Sequence, residues 1–259
     1  MHITGLQWNI QAARVRDAEA SPRLLESYKG DNPAYIGRYI AGRAVDFVTL
    51  QEVHANAERN QAEEIAGYLG DAHVVTDSYG SSFMNPNYDI CQAVISKHPI
   101  VAHRYVPLQF EPYTPVNLEH LDGEYLAKDT GLTIATLDIG HTLLDVVTLH
   151  MQPFSLFAVD PYGDTASELR ASLESALAEL ERPWILQGDF NVNCQSIDAF
   201  LGGISQLPGY VGLVQPAPTI PAGIAIDHVA SKDTAIISSD VDDSALTDHY
   251  PVVTRFEVR

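Results

Sequence analysis

The length of the apolar runs constrains this fold most. From HITGLQWNI (2–10) to PVVTRFEV (251–258) they come in strand-sized pieces, parted by Gly, Pro, Asn and Asp. DFVTLQEV (46–53), AHVVT (72–76), CQAVIS (91–96), PIVAHRYVPLQF (99–110) and WILQ (184–187) are of this kind, as are 224–230 and 234–238. GLTIATLDIGHTLLDVVTLH (131–150) reads as a hairpin turning at Gly140-His141. Three stretches read as helices. Asn32-Pro33 opens one that runs to about Gly42-Arg43. ERNQAEEIAGYLG (58–70) ends at Gly70. ASELRASLESALAELE (166–181) follows Asp164-Thr165 as cap and is stopped by Pro183. Residues 11–32 read as loop and 111–130 as an irregular insertion. Hairpins outnumber βαβ units, so the expected fold is α/β (α+β), with stacked, mostly antiparallel sheets and helices outside. No linker or repeat divides the chain, and a single domain over 1–259 is expected.

Composition narrows the partners. The formal net charge is −19, from 34 Asp+Glu against 15 Lys+Arg. Only Lys29, Lys97, Lys128 and Lys232 are lysines. Long phosphate-tracking contacts with nucleic acid draw on Lys and Arg, so nucleic acid is disfavoured as a partner. It is not excluded, since a bound cation inverts the local field. No apolar run reaches the length of a membrane-spanning helix. Met1 leads straight into a strand-like segment, without a basic and then apolar leader, and a cytoplasmic protein is expected. Cys91 and Cys194 have no metal or disulfide spacing and read as buried reduced thiols.

Polar residues sit at the ends of these runs. WILQGDFNVN places Asp189 and Asn191 two apart after a strand, on one face, with Phe190 between them pointing to the core. Gly188 lets another chain pass closely. A lone GDFN reads equally well as a turn. Five other runs behave alike, however. LQWNI supplies Asn9, VTLQEV Glu52, DVVTLH His150, AIDHVA Asp227, and SALTDHYPVV Asp248 and His249. Carboxylates, amides and imidazoles are together the inventory of metal-assisted phosphoryl transfer.

WNI, LQE, LH after an apolar strand, GDFNV, IDHV and TDHYPV, in that order, resemble the signatures of the endonuclease/exonuclease/phosphatase (DNase I-like) superfamily. AVISKHPI (93–100) is similar to its strand-and-turn segment. The resemblance spans Asn9 to Val252. It implies a four-layer α/β/β/α sandwich and a Mg²⁺-dependent phosphoesterase, with Mn²⁺ as possible substitute. By the same resemblance Glu52 is the principal metal carboxylate, with Asn9 beside it and Asp248 near the metal. Asp189 orients or deprotonates the attacking water and Asn191 holds a phosphate oxygen. His249, fixed by Asp227, donates to the phosphoryl group, as does His150. Asp77 is the candidate partner of His150. His54 is expected at the solvated surface, His228 is expected to face away from Asp227, and His98, His103, His120 and His141 have no obvious partner.

The acids Glu111, Glu119, Asp122 and Glu124 would repel an anionic polymer, which favours a small phosphoester, lipid headgroup or nucleotide over DNA or RNA. A nuclease of the same superfamily is the alternative. A calcineurin-like two-metal enzyme would need a GNH motif that the chain lacks. A non-catalytic binding module on the same fold would be expected to have lost one of the eight positions, and all eight are present.

Overall fold

The computed structural model describes residues 1–117 and 124–259. Glu119, His120 and Asp122 lie outside the described residues. Twelve strands form two six-stranded sheets. They are β1 (His2–Asn9), β2 (Phe47–Ala55), β3 (His73–Ser81), β4 (Asp89–Ser96), β5 (Ile100–Pro107) and β6 (Gly131–Asp138). The others are β7 (Leu143–His150), β8 (Trp184–Asp189), β9 (Tyr210–Gly212), β10 (Asp227–Lys232), β11 (Thr234–Val241) and β12 (Val252–Val258). The first sheet runs β11-β12-β1-β2-β4-β3 and the second β9-β10-β8-β7-β6-β5. In each sheet one central pair is parallel, β1 with β2 and β7 with β8, and the remaining pairs are antiparallel.

Helices cover the outer faces. α1 (Pro33–Ala41) and α2 (Gln61–Ala66) press Ile36, Ile40 and Ile65 onto Leu6, Trp8, Val48 and Leu50 of the first sheet. α3 (Ser167–Ala178) and the short α4 (Asp198–Leu201) press Leu169, Leu173, Leu177 and Phe200 onto Val147, Leu149 and Leu186 of the second. Between the sheets lie Phe47, Val94, Val146, Ile185 and Phe256. The order is therefore α/β/β/α, as the resemblance implies.

Asn32 caps α1 by accepting from the Tyr35 amide, with Pro33 at the first position. The expected 58–70 helix contracts to α2, because Asn60 caps it by accepting from the Ala62 amide and the chain leaves helix at Gly67. The expected 166–181 helix contracts to Ser167–Ala178, preceded by a 3₁₀ turn at Asp164–Ala166 without a side-chain cap. β3 and β8 run further than their apolar cores, because ladder hydrogen bonds carry polar residues to the strand end.

Gly188 pairs with Leu149 in the parallel pair of the second sheet. A Cβ there would collide with the Leu149 carbonyl oxygen, so backbone must shift. Gly188→Ala is expected to cost about 1–3 kcal/mol, as overpacking does, read as a lowered urea midpoint.

Candidate active site

Strands of a parallel pair end together. β1 and β2 finish at the same edge of the sandwich as β7 and β8, and the expected residues stand there. In the second sheet His150 lies opposite Asp189 in register, and Asp189 opposite Asp227 on the antiparallel β10. Residues in register share a face, here the face turned to the other sheet. Asn9 ends β1 and faces them across the gap, its Nδ2 donating at 3.0 Å to Asp189 Oδ2 and at 3.0 Å to Glu52 Oε1. Asn9 Oδ1 accepts from the Gln11 amide at 3.1 Å.

Glu52 reaches this group through a bulge. Thr49 and Gln51 are inward, Leu50 and Val53 outward, so alternation alone would turn Glu52 away from its inward neighbours. The register with β4 shifts between Leu50 and Val53, and Glu52 takes φ 54°. That left-handed backbone costs a non-glycine residue about 1–2 kcal/mol and re-aims its side chain. Asn191 also has positive φ, 51°, just past β8. Its amide donates to Asp189 Oδ1 at 2.8 Å and its Nδ2 to the Met151 carbonyl at 3.0 Å. Phe190 is fully buried, as expected.

His249 precedes β12. Its Nδ1 lies 3.0 Å from Asp227 Oδ2, and its Nε2 is 3.7 Å from Asp189 Oδ2. Burial alone would lower the His249 pKa, but Asp227, Asp189 and Asp248 together hold it well above its ordinary value. Burial raises Asp189, and the charge of Asp227 adds to this, against His249, His150 and the Asn9 bond. Burial also pushes Asp248 up to about 7, with Glu52 and Asp189 adding and His249 opposing. Asp248 Oδ1 is buried without a hydrogen-bond partner among the described residues.

The Nε2 of His150 stands 3.5 Å from Asp189 Oδ2 and 3.8 Å from Glu52 Oε1. Its Nδ1 partner is Tyr79, whose hydroxyl lies 2.7 Å away, and this corrects the expectation of Asp77. Asp77 instead meets His103 Nε2 at 2.8 Å and the Thr133 hydroxyl at 2.6 Å, which also gives His103 a partner. Burial holds the Tyr79 pKa well above 10. A hydroxyl so protonated can donate to Nδ1, which leaves the Nε2–H of His150 facing the carboxylates.

His54 is not a solvated surface residue. It is 5% exposed, stacks on Tyr88 at 5.2 Å between centroids, and has the Ser82 hydroxyl 2.7 Å from Nε2. His228 does face away from Asp227, with Nε2 2.9 Å from the Val192 carbonyl. Gln7 went unremarked at the sequence level. Fully buried on the inward face of β1, it donates at 2.8 Å to Asp227 Oδ1 and at 2.8 Å to Gln51 Oε1. Its signal was present, because Gln7 and Asn9 are two apart in LQWN.

Two oxygen-rich groups could hold a cation. Asp189, Asp227 and His249 each bring a ligand atom within 4.8 Å of the others. There, however, Asp227 and His249 are already spent on one another. Glu52 and Asp248, with Asn9 beside Glu52, are the second group, and oxygen donors of this kind suit a hard divalent ion. They supply carboxylate oxygens, one of them unpartnered among the described residues, and burial, with the Glu52 charge added to it, raises the Asp248 pKa.

The sequence profile of the Endonuclease/Exonuclease/phosphatase family matches residues 6–249. No curated protein is matched by sequence. Among solved structures, an endonuclease/exonuclease/phosphatase from Beutenbergia cavernae superposes with TM-score 0.71 at 19% identity, covering 99% of this chain and 72% of that one. One from Bacteroides vulgatus gives 0.68 at 17% identity, over 100% of both chains. The human nocturnin catalytic domain with bound sulfate gives 0.63 at 16%, over 100% of this chain and 95% of that one. At such identities these likenesses speak for the fold. Members of the matched family are generally hydrolases of phosphoester bonds that use divalent metals. The match across almost the whole length, on a sandwich of the same architecture, makes this chain a member of the endonuclease/exonuclease/phosphatase family.

Proposed function

We propose that the chain is a Mg²⁺-dependent phosphoesterase that hydrolyses a small phosphomonoester or phosphodiester by in-line attack of water. The observation that carries this reading is the convergence of Asn9, Glu52, His150, Asp189, Asp227 and His249 from both sheets onto one edge, within hydrogen-bond or ion-pair reach of a neighbour. The use of both sheets in one site also supports reading the chain as a single domain.

Glu52 and Asp248 would hold the cation, which when bound supplies charge to the phosphoryl oxygens. Asp189 orients the attacking water and takes its proton, a role its raised pKa suits. His249, kept cationic by Asp227, donates from Nε2 to a phosphoryl oxygen, and the Nε2–H of His150 donates from the other side. The side chain of Asn191 holds a further phosphate oxygen. Gln7 positions Asp227.

Bis(p-nitrophenyl) phosphate and p-nitrophenyl phosphate, assayed with Mg²⁺, test this directly. Turnover of at least one is expected, and none by a folded preparation would end the reading. Gln7→Met keeps the volume but removes the donor to Asp227. It is expected to lower kcat about tenfold at little change in KM, the lower end of the losses seen for outer-shell partners. It should also shift the alkaline limb of the pH profile, since Asp227 is freed to turn. An unchanged profile would make Gln7 merely structural.

A further inference from the structure

Beside the phosphoryl site lies a cavity of about 910 Å³. Small-molecule sites span about 300–1,000 Å³, far more than one phosphoryl group needs. Asn191, Asp248 and His249 line it, so it opens on the proposed reaction centre. Three segments wall it. Leu25 and Tyr28 come from the loop before α1, Leu156, Val159 and Tyr162 from the loop after β7, and Ile220 from the loop before β10. Leu25 is 65% exposed, Tyr162 44% and Leu156 42%, an apolar rim left bare at the mouth. Apolar walls converging on a few polar groups are what small-molecule sites present.

Charge narrows the occupant. Apart from His249 at the reaction centre, Arg23 is the one basic side chain among the described residues lining the cavity, and Asp160 and Asp248 are acids. A polynucleotide would carry further phosphates past these acids, with only Arg23 outside the reaction centre to offset them. An uncharged aliphatic body meets no such penalty. We infer that this cavity is the subsite for the alcohol side of the substrate, and that the substrate is a phosphoester of an uncharged, mainly aliphatic alcohol. The inference rests on the phosphoesterase reading. In the reaction water adds to phosphorus, the bond from phosphorus to the alcohol oxygen breaks, and the alcohol oxygen leaves with a proton.

The test uses methyl-, butyl- and octylphosphonate, below their micelle concentrations, as inhibitors of aryl phosphoester turnover. Each buried methylene is worth about 0.8 kcal/mol, close to fourfold in affinity. Octylphosphonate is therefore expected to inhibit at least about 30-fold more tightly than methylphosphonate, allowing for incomplete burial. In Leu25→Glu and Leu156→Glu, both at exposed positions that fold without the leucine, that ratio is expected to fall about tenfold. A flat series from an enzyme that turns over the aryl ester overturns the subsite and leaves the phosphoesterase reading standing. Stronger inhibition by a dinucleotide than by octylphosphonate also overturns it. If no aryl ester is turned over, the phosphoesterase reading fails instead, and calorimetric titration with the same phosphonates decides the subsite, with equal affinities overturning it. Vesicles of phosphatidylcholine separate the sources. Their hydrolysis assigns the aliphatic ester to a membrane, and chain-length dependence without vesicle hydrolysis assigns it to a soluble ester.

Discussion

Asp189→Asn is expected to lower kcat on any phosphoester substrate by about three orders of magnitude, within the range for loss of a positioned general base. The replacement is nearly isosteric. Asn191 can still donate its amide to the new side chain, and Asn9 keeps its bond to Glu52. The basic oxygen facing His150 and His249 is lost, and with it the acceptor of the second Asn9 bond. Stability should move the other way. Asp189 has a raised pKa in the folded state, so the folded chain holds that proton more tightly than the unfolded one. The stability associated with it is therefore present at acid pH and is lost as pH rises from the unfolded carboxylate value, about 4, through the folded one. Above the folded value the folded state bears an ionised, buried carboxylate, and the amide removes that burden. A melting temperature unchanged or raised, beside lost turnover, is the expected pair of results. Turnover near that of the parent would remove Asp189 from the chemistry. His249→Ala should cost a similar factor, and the double variant little more, because the two act on one transition state.

Much of this site was legible because strand alternation is a strict rule. Asn9, His150, Asp189 and Asp227 end regular strands, so the period of two gave their face and the strand end gave their height. Stacked, mostly antiparallel sheets with helices outside followed from hairpins outnumbering βαβ units, and the four-layer order came from the resemblance. Glu52 stood out as the polar end of its run, but only the resemblance gave its place in the site. Alternation points it at the helices, and only the bulge at Leu50/Val53 brings it round. Asp77 was misjudged in height. It shares a face with Tyr79 two residues on, but one step along a strand is about 6.5–7 Å between such neighbours. The residue nearer the end of the sandwich meets His150, and the other reaches across to His103 on the edge strand β5. His54 was misplaced because its burial depends on Tyr88 and Ser82, which fold over it from a loop between β3 and β4. Long-range cover of this kind leaves no periodic trace near the residue it covers.

Chelation by EDTA should remove activity, and Mg²⁺ should restore it. The reason lies in an imbalance of charge. Glu52 and Asp189 each add to the field that raises Asp248, and Asp248 Oδ1 has no partner among the described residues. The strained φ at Glu52 keeps its carboxylate in this company. A divalent ion offsets all three charges at once, whereas protonation of Asp248 offsets only one. The two compete, and this sets a pH dependence. Asp248 titrates near 7 in the metal-free chain, so about one-tenth of it is ionised at pH 6 and about nine-tenths at pH 8. Mg²⁺ affinity measured by calorimetry is therefore expected to be about tenfold weaker at pH 6 than at pH 8, with proton release on binding at the lower pH. The rise in melting temperature with added Mg²⁺ should follow the same order, since an ion that binds only the folded state stabilises it by mass action. Glu52→Gln keeps the shape but removes one of the two carboxylates. It is expected to abolish the Mg²⁺-dependent rise in melting temperature and to lower kcat about a thousandfold at saturating substrate. Burial still raises Asp248 in this variant, but without the Glu52 charge its pKa falls in part, so any residual Mg²⁺ binding should depend less on pH between 6 and 8 than in the parent. Binding that stays equally tight across this range in the parent would place the cation elsewhere. The Asp189, Asp227 and His249 group would then be the remaining candidate, at the cost of the bond between Asp227 and His249.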